Sequence, residues 1–222
     1  MGCDIHLYIE VRKDGKWTSA DRWTRDTYAP PGVERMTVDY DHNWFTDRNY
    51  ELFAILAGVR GEAAPIAEPK GFPEDASELL KIEYAEGGDH TPTWYTLREL
   101  MDADWEAPVT YQKVVEYGAY AKWNAWDRKQ GESPSGWCGG TSVKTISEAE
   151  ADVLVAKEVA AGKTIYDIGK RTADSFIGDL YVSATWQVPR YKVAERFLSR
   201  VVSRMFKLGK PEDVRVVFWF DN

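Results

Sequence analysis

The sequence predicts an α+β fold, in which a mixed or antiparallel sheet contains the first and last strands and is covered by helices. Residues 3–11 alternate between apolar and polar side chains, which is the period-2 pattern of a strand. Residues 214–220 form a continuous apolar run, which is typical of a strand covered on both faces. Residues 47–60 and 191–208 repeat apolar side chains at helical spacing. We therefore expect a single domain over residues 1–222.

Composition argues against several broad classes of protein. The chain has 28 Lys and Arg against 36 Asp and Glu, and its net charge of −8 argues against an extended nucleic-acid-binding surface. Its two cysteines cannot build a disulfide framework, so a reducing cytoplasm is the expected location. No apolar run approaches the roughly 20 residues that span a membrane. The ten tryptophans are unusually many, and we expect several of them at clefts or contacts.

The first strand carries the first candidate site. Asp4 and His6 point to the face opposite the apolar one, roughly 6.6–7 Å apart along the strand. A carboxylate and an imidazole at this spacing suit a divalent metal ion or an acid–base pair. The alternative interpretation is a strand with one solvated face that carries ordinary polar residues. The Asp-Gly pair within residues 13–16 then turns the chain into a hairpin.

The next predicted element is a helix over residues 47–60. Asp47 is the expected N-cap, and Gly58 or Gly61 ends the helix. Arg48 then lies at the helix entrance, either in a salt bridge or where the helix N-terminus faces a ligand. Residues 20–45 and 62–78 are expected to be loops, and residues 77–86 a short helix or a strand.

A glycine-rich turn over residues 87–94 carries the second candidate site. Asp89 and His90 follow two glycines, which permit a tight or unusual backbone, and Trp94 lies beside them. The Asp-His pair either belongs to a site or satisfies backbone groups within the turn. Thr96 is the expected cap of a short helix that follows.

The middle of the chain contains two predicted helices, a loop and a strand. The aromatic spacing of residues 109–127 favours a helix with an aromatic stripe. The loop after it contains Trp137, which can act as a lid or a stacking group. Ser147 and Glu150 form a capping box. The helix they begin has five residues on its expected buried face: Val153, Leu154, Ala156, Val159 and Ala160. Residues 180–188 alternate as a strand.

The C-terminal part combines the longest predicted helix, residues 191–208, with the last strand. One face of the helix has cations at i+4 spacing: Lys192, Arg196, Arg200 and Arg204. This basic face suits a phosphate-bearing ligand or an acidic partner, and equally a solvated helix surface. Because the two ends of a domain often lie close together, we expect Asp221 to approach Cys3, Asp4 or His6.

Three blocks of the sequence resemble a family of uncharacterised phage and bacterial proteins. They are the start Met1-Gly2-Cys3-Asp4-Ile5-His6, residues 47–60 beginning Asp47-Arg48-Asn49-Tyr50, and residues 211–222 ending Phe218-Trp219-Phe220-Asp221-Asn222. The resemblance covers both ends and the first third of the chain, and it weakens over residues 100–175. It implies a phage or prophage context and no particular chemistry.

Two functions follow as expectations. The first is a phage or prophage accessory protein that binds a host protein or a small nucleotide-like ligand, with Trp94 and Trp137 as stacking groups. The second is a metal-assisted hydrolase, for example of a phosphoester, built from the first strand, the 47–50 helix start and the 87–94 turn. Its expected catalytic residues are Asp4, His6, Arg48, Asp89 and His90. Its expected cofactor is a divalent metal ion bound by Asp4, His6 and His90.

Overall fold

The computed structural model describes residues 2–88, 90–126, 133–134, 137–138, 144–169 and 180–221. The chain groups into two compact units, one formed by residues 1–107 with 190–222 and the other by residues 108–189. Strands and helices occur in both, which confirms the α+β prediction. A single domain over residues 1–222 stays a prediction. Among the described residues, no helix is long and apolar enough to cross a membrane.

Strands and helices follow one another along the described parts of the chain. The strands are β1 (Asp4–Lys13), β2 (Lys16–Ser19), β3 (Trp23–Arg25), β4 (Met36–Val38), β5 (His90–Thr96), β6 (Pro108–Glu116), β7 (Trp137–Cys138), β8 (Thr145–Ser147), β9 (Tyr181–Pro189) and β10 (Val214–Asp221). The α-helices are α1 (Tyr50–Ala57), α2 (Glu78–Gly87), α3 (Leu97–Asp102), α4 (Tyr117–Ala125), α5 (Glu148–Ala160), α6 (Arg190–Val193), α7 (Glu195–Phe197) and α8 (Ser203–Met205). A π-helical segment spans Leu198–Val202, and 3-10 turns span Tyr40–His42 and Pro211–Asp213.

The four-stranded sheet of the first unit joins the two ends of the chain. Its strand order is β2-β1-β10-β5, and all neighbouring strands are antiparallel. The pairing of β1 with β10 begins with Asp4 opposite Asp221. β10 is therefore an interior strand, as its continuous apolar run predicts. Asp14 (φ 49°) and Gly15 (φ 78°) turn β1 into β2, as expected for an Asp-Gly hairpin.

Both faces of this sheet are covered. One face, with Ile5 and Phe220, packs on α1 and on the helical segment after residue 190. The other face, with Tyr8 and Trp219, packs on α2 and β4. The interpretation of the polar face of β1 as solvated is therefore wrong at Tyr8 and Glu10, which are 5% and 0% exposed.

Glu10 is buried because it pairs with an equally buried cation. Arg215 is 1% exposed, and its Nε donates to Glu10 Oε2 over 2.8 Å. The guanidinium lies 4.1 Å from the ring of Trp17 and also donates to Asp75 over 2.8 Å. Glu10 Oε1 accepts the backbone N–H of Ser77 over 2.7 Å. Ser77 is the N-cap residue of α2, so this network fixes the start of α2 on the sheet.

Helix α1 begins later than predicted. Its N-cap is Asn49, whose side chain accepts the backbone N–H of Leu52, and not Asp47. Asp47 instead pairs with Arg196 over 2.9 Å. Gly58 ends the helix as predicted, with a left-handed φ of 69° that glycine adopts without strain.

The segment predicted as one helix over residues 191–208 is helical but interrupted. α6, α7 and α8 follow one another, with the π-helical segment between α7 and α8. Two cations of its basic face contact side chains of the same unit. Arg196 pairs with Asp47, and the guanidinium of Arg204 lies 4.0 Å from the ring of Trp44. These contacts favour a structural role for that part of the basic face.

Two segments predicted as irregular contain regular structure. Within residues 20–45, β3 and β4 form a two-stranded antiparallel sheet. The 87–94 turn continues directly into β5, which begins at His90. Thr96 caps α3 as predicted, through a capping box with Glu99.

The second unit contains a mixed sheet in the order β7-β6-β9-β8, with β8 parallel to β9. The prediction of a helix over residues 109–127 is wrong in its first half, where β6 pairs along the length of β9. Tyr111 stacks on Trp186 of β9, so part of the aromatic stripe is a strand face. The second half is helical as α4.

Helix α5 begins as predicted but packs through a different face. Ser147 and Glu150 form the capping box. Val153 and Val159, from the face expected to be buried, are 69% and 49% exposed. Ala151 is instead the buried residue of α5, and the neighbouring Asp152 accepts a hydrogen bond from Tyr120 of α4 over 2.8 Å.

Candidate functional site

The end of the first strand meets the end of the last strand in a small polar cluster. Asp221 Oδ1 accepts the backbone N–H of Asp4 over 3.0 Å, and Asp221 Oδ2 lies 3.0 Å from His6 Nε2. This confirms the expectation that Asp221 approaches Asp4 and His6. An imidazole held by a carboxylate has one nitrogen and its orientation fixed, which is the arrangement of a positioned acid–base group.

Arg48 joins this cluster through Asp4. Its Nε and Nη2 both donate to the Asp4 carboxylate, the latter over 2.6 Å. The hydrogen bond from Arg48 lowers the pKa of Asp4, and the same bond raises the pKa of Arg48. Arg48 therefore already has an anionic partner, which accounts for its position near the start of α1 without a bound ligand.

A pocket of about 170 Å³ opens beside this cluster, on the face of the sheet that carries α2 and β4. Strands β1 and β10, the β3–β4 segment and α2 form its wall. The lining side chains are His6, Arg35, Thr37, Glu83, Glu86 and Trp219. We call this site the Trp219 pocket. It is smaller than the roughly 300–1,000 Å³ of sites for drug-sized ligands, so it accommodates one ring or functional group of a ligand.

Trp219 is the unusual member of the wall. The residue is 1% exposed, and none of the described residues forms a hydrogen bond with its Nε1. Its ring stacks on Tyr8 at 5.0 Å and on His6 at 6.0 Å between centroids, so the side chain is firmly held. A buried donor without a partner costs about 1–3 kcal/mol, and such groups in native proteins call for a physical explanation.

The charged groups of the wall are unequally satisfied. Arg35 donates from Nε to Asp26 over 2.6 Å and from Nη1 to Glu86 over 3.4 Å, so its positive charge is already paired with two carboxylates. Glu83 Oε1 accepts the hydroxyl of Tyr8 over 3.0 Å. Burial, and then the charge of Glu83, raise the pKa of Tyr8, so the phenol stays a donor. Counting His6 as neutral, one cation and two carboxylates give the wall a net charge of −1.

His90, the second predicted histidine, lies on the opposite face of the sheet from His6. If the register that pairs Phe218 with Thr93 continued unchanged, His90 would lie opposite Asp221, and its side chain would point to the same face as His6. A register shift between Phe218 and Phe220 places His90 opposite Phe220 instead. The two rings stack at 5.9 Å, on the face that packs against α1. A one-residue shift thus moves His90 away from Asp4 and His6.

The predicted stacking residues lie in different surroundings. Trp94 is covered, because the ammonium of Lys70 lies 3.7 Å from its ring centroid. Trp137 belongs to β7 of the second unit, and its side chain lies outside the described residues, as does Asp89. In the described ranges no three His, Cys, Asp or Glu side chains form a group that can hold a metal ion. The divalent metal site therefore stays a prediction.

Sequence reasoning missed most of the pocket wall. Trp219 sits in an apolar run, so nothing in the sequence separates it from ordinary core residues. Glu83 and Glu86 are three positions apart on α2, which the sequence left between helix and strand. Had that helix been assigned, the i,i+3 spacing would have placed both carboxylates on one face.

Comparisons of the chain with protein-family models, with curated proteins and with solved structures gave no match.

Proposed function

We propose that this protein binds a small polar ligand in the Trp219 pocket. The observation that carries the proposal is the buried Nε1–H of Trp219, which faces no partner among the described residues and belongs to a side chain lining the pocket. A ligand acceptor at this N–H removes the cost of the unpaired donor, which is a gain that binding alone supplies.

The other side chains of the pocket wall also support a ligand-binding site rather than a hydrated surface depression. Glu83, Glu86 and Thr37 offer acceptors, while His6 offers a ring nitrogen on a side chain fixed by Asp221. A few polar side chains that converge on one concave site, here oxygen acceptors and a ring nitrogen, are typical of small-molecule sites. The aromatic packing around Trp219 holds its ring in place, and because Nε1 itself is buried, a ligand acceptor reaches it only when a neighbouring side chain of the wall shifts.

The biological setting belongs to the proposal as well. The family resemblance supports a phage or prophage accessory protein that works in the cytoplasm of a bacterial host. A host protein is the alternative partner, and it would bind to exposed aromatic side chains of this chain such as Tyr28 and Tyr40. We place the small ligand first because the pocket offers it an unpaired buried donor.

Thermal unfolding tests the proposal, since a ligand that binds only the folded state raises Tm. The probes are nucleosides, amino acids and monosaccharides, each at about 10 mM, which is about 100 times a Kd of about 0.1 mM. Trp219→Phe removes the N–H and keeps an aromatic ring, and Trp126→Phe, at a 60% exposed residue, is the matched control. We expect at least one probe to raise Tm in wild type and in Trp126→Phe but not in Trp219→Phe. The proposal fails if no probe does so.

Metal-assisted hydrolysis is the second candidate function, and the pairing of His6 with Asp221 favours it. A histidine held by a carboxylate is suited to binding a metal or to moving a proton. Elemental mass spectrometry of protein purified without a His tag tests this candidate. Since His6 and His90 occupy opposite faces, we expect His6→Ala to lose any stoichiometric metal and His90→Ala to keep it. Equal metal content in wild type and His6→Ala would contradict it.

A further inference from the structure

We infer that the group entering the Trp219 pocket is a neutral amino-oxo heterocycle, meaning a planar ring with a carbonyl acceptor and an exocyclic amine, as in cytosine and guanine. The inference rests on the proposed function and names its ligand class. Three features of the wall carry it: a buried donor without a partner among the described residues, a cation that is already paired with two carboxylates, and two carboxylates that each have an oxygen with no hydrogen bond from a described residue.

The first feature is the buried indole. Trp Nε1–H is a donor and never an acceptor, so the ligand atom next to it has to be an acceptor. The ring of Trp219 is fixed by Tyr8 and by Tyr84, whose centroid lies 5.2 Å away. The N–H therefore cannot turn to another partner without breaking this packing. A carbonyl oxygen or a ring nitrogen of the ligand satisfies it.

The second feature is the charge of the wall, which excludes an anionic acceptor. Asp26 and Glu86 occupy the guanidinium of Arg35, so no free cation in the described wall compensates an entering carboxylate or phosphate. Glu83 and Glu86 would repel such a group at short range. The acceptor is therefore neutral. If the ligand is a nucleotide, its phosphate stays outside the pocket.

The third feature is the pair of carboxylates on α2. Tyr8 occupies Oε1 of Glu83, and no described residue forms a hydrogen bond with Oε2. Glu86 has only the long contact with Arg35 among the described residues. Ligand N–H groups satisfy these oxygens, and hydrogen bonds to ionised acceptors are stronger than neutral ones. Carboxylate side chains recognise the amine of cytosine by this chemistry.

The imidazole of His6 supplies the accessible aromatic surface. Its side chain is 38% exposed, whereas Trp219 is almost fully buried. Rings of nucleobases stack on His, Tyr, Phe and Trp in single-stranded recognition. The net charge of −8 argues against a polymer as the source of the base, because a nucleic acid brings a row of phosphates. The free nucleoside is therefore the expected form.

Isothermal titration calorimetry with two matched nucleoside pairs tests the inference. Guanosine and inosine differ only in the exocyclic amine, whereas uridine has a carbonyl oxygen and a protonated N3 where cytidine has the amine and an unprotonated N3. We expect the amine-bearing member of at least one pair to bind wild type at least about tenfold more tightly than its partner. Glu83→Gln should weaken that binding by about tenfold, and Glu78→Gln, on the exposed side of the same helix, should leave it unchanged.

The possible results separate this inference from the proposed function. Equal affinity within both pairs overturns the inference, because the amine then makes no contact. If an amino acid or a sugar raises Tm through Trp219 while no nucleoside binds, the ligand class is wrong and the proposed function stands. If no probe acts through Trp219, the proposed function and the inference both fail.

Discussion

The Nε2 atom of His6 lies 3.0 Å from Oδ2 of Asp221, so a side chain of the first strand is bonded to one 215 positions later. The other oxygen of Asp221 accepts the backbone N–H of Asp4. One carboxylate thus closes the first strand onto the last and orients the histidine beside the Trp219 pocket.

Removing the Asp221 carboxylate should loosen the paired chain ends. We expect Asp221→Ala to lower the free energy of unfolding by about 1–2 kcal/mol, since two half-exposed hydrogen bonds are lost. Asp221→Asn keeps one acceptor and should lose about half as much. Urea unfolding measures both variants. Equal losses in the two would show that the carboxylate charge, and not its hydrogen bonds, stabilises the paired ends.

The buried pair of Glu10 and Arg215 should be far more sensitive. Glu10→Ala leaves the guanidinium of Arg215 buried with Asp75 alone, at an expected cost of about 3–5 kcal/mol in unfolding free energy. The control is Asp213→Asn, which breaks the exposed pair with Arg12 and should cost less than about 1 kcal/mol. Unfolding of each variant in guanidinium chloride measures the two losses of unfolding free energy. Similar losses at both sites would mean that burial does not set the cost of breaking these pairs.

Asp21 should make the stability of the fold depend on mildly acidic pH. Burial is the main reason that its pKa is raised from 3.8 to about 6, against hydrogen bonds from Ser19 and the Ile9 backbone that lower it. A raised folded-state pKa means that this group's stabilisation is complete below pH 3.8 and is lost as the pH rises through about 6. A shift of this size amounts to at most about 3 kcal/mol.

The matched variant for this pH effect is Asp21→Asn, which keeps one acceptor and does not titrate. We expect the wild type to lose unfolding free energy relative to Asp21→Asn between about pH 4 and pH 6, the window bounded by the two pKa values. Urea midpoints at half-unit pH steps measure the difference. A constant difference over that window would mean that Asp21 is not the titrating group.

The cap of α1 provides a test of local structure. Asn49→Ala should cost about 1–2 kcal/mol, because Asn49 accepts the N–H of Leu52 and donates to the carbonyl of Val193. Asp47→Asn should cost about 1 kcal/mol or less, since Asp47 pairs with an Arg196 side chain that is 59% exposed. Differential scanning calorimetry of the two variants gives the order. A larger loss of stability in Asp47→Asn than in Asn49→Ala would indicate that Asp47, and not Asn49, caps α1.

The parts of the fold that were predictable from sequence depend on local patterns. The alternation after Asp4, the apolar run of β10, the cap at Thr96 and the capping box at Ser147 each act within a few residues, and each is confirmed. The meeting of Asp221 with His6 followed from a general tendency of chain ends to lie together.

The parts that were not predictable depend on how distant segments pair. The register shift that turns His90 to the other face is a property of β5 against β10. Pro92, which has no N–H to donate, marks β5 as an edge or irregular strand but does not give the direction of the shift. The partner that allows Glu10 to be buried is Arg215, at the other end of the chain. Likewise Trp219 becomes a pocket wall only once α2 and β4 cover that face.

The indole N–H resonance of Trp219 reports directly on whether a ligand bonds to the buried donor. In ¹⁵N-labelled protein, Trp219→Phe identifies this resonance among those of the ten tryptophans. We predict that cytidine or guanosine moves it downfield in a saturable way, as a new hydrogen bond requires, while the Trp126 resonance stays in place. If a ligand raises Tm and the Trp219 resonance does not move, the buried donor is not part of the site and the ligand binds elsewhere on the protein.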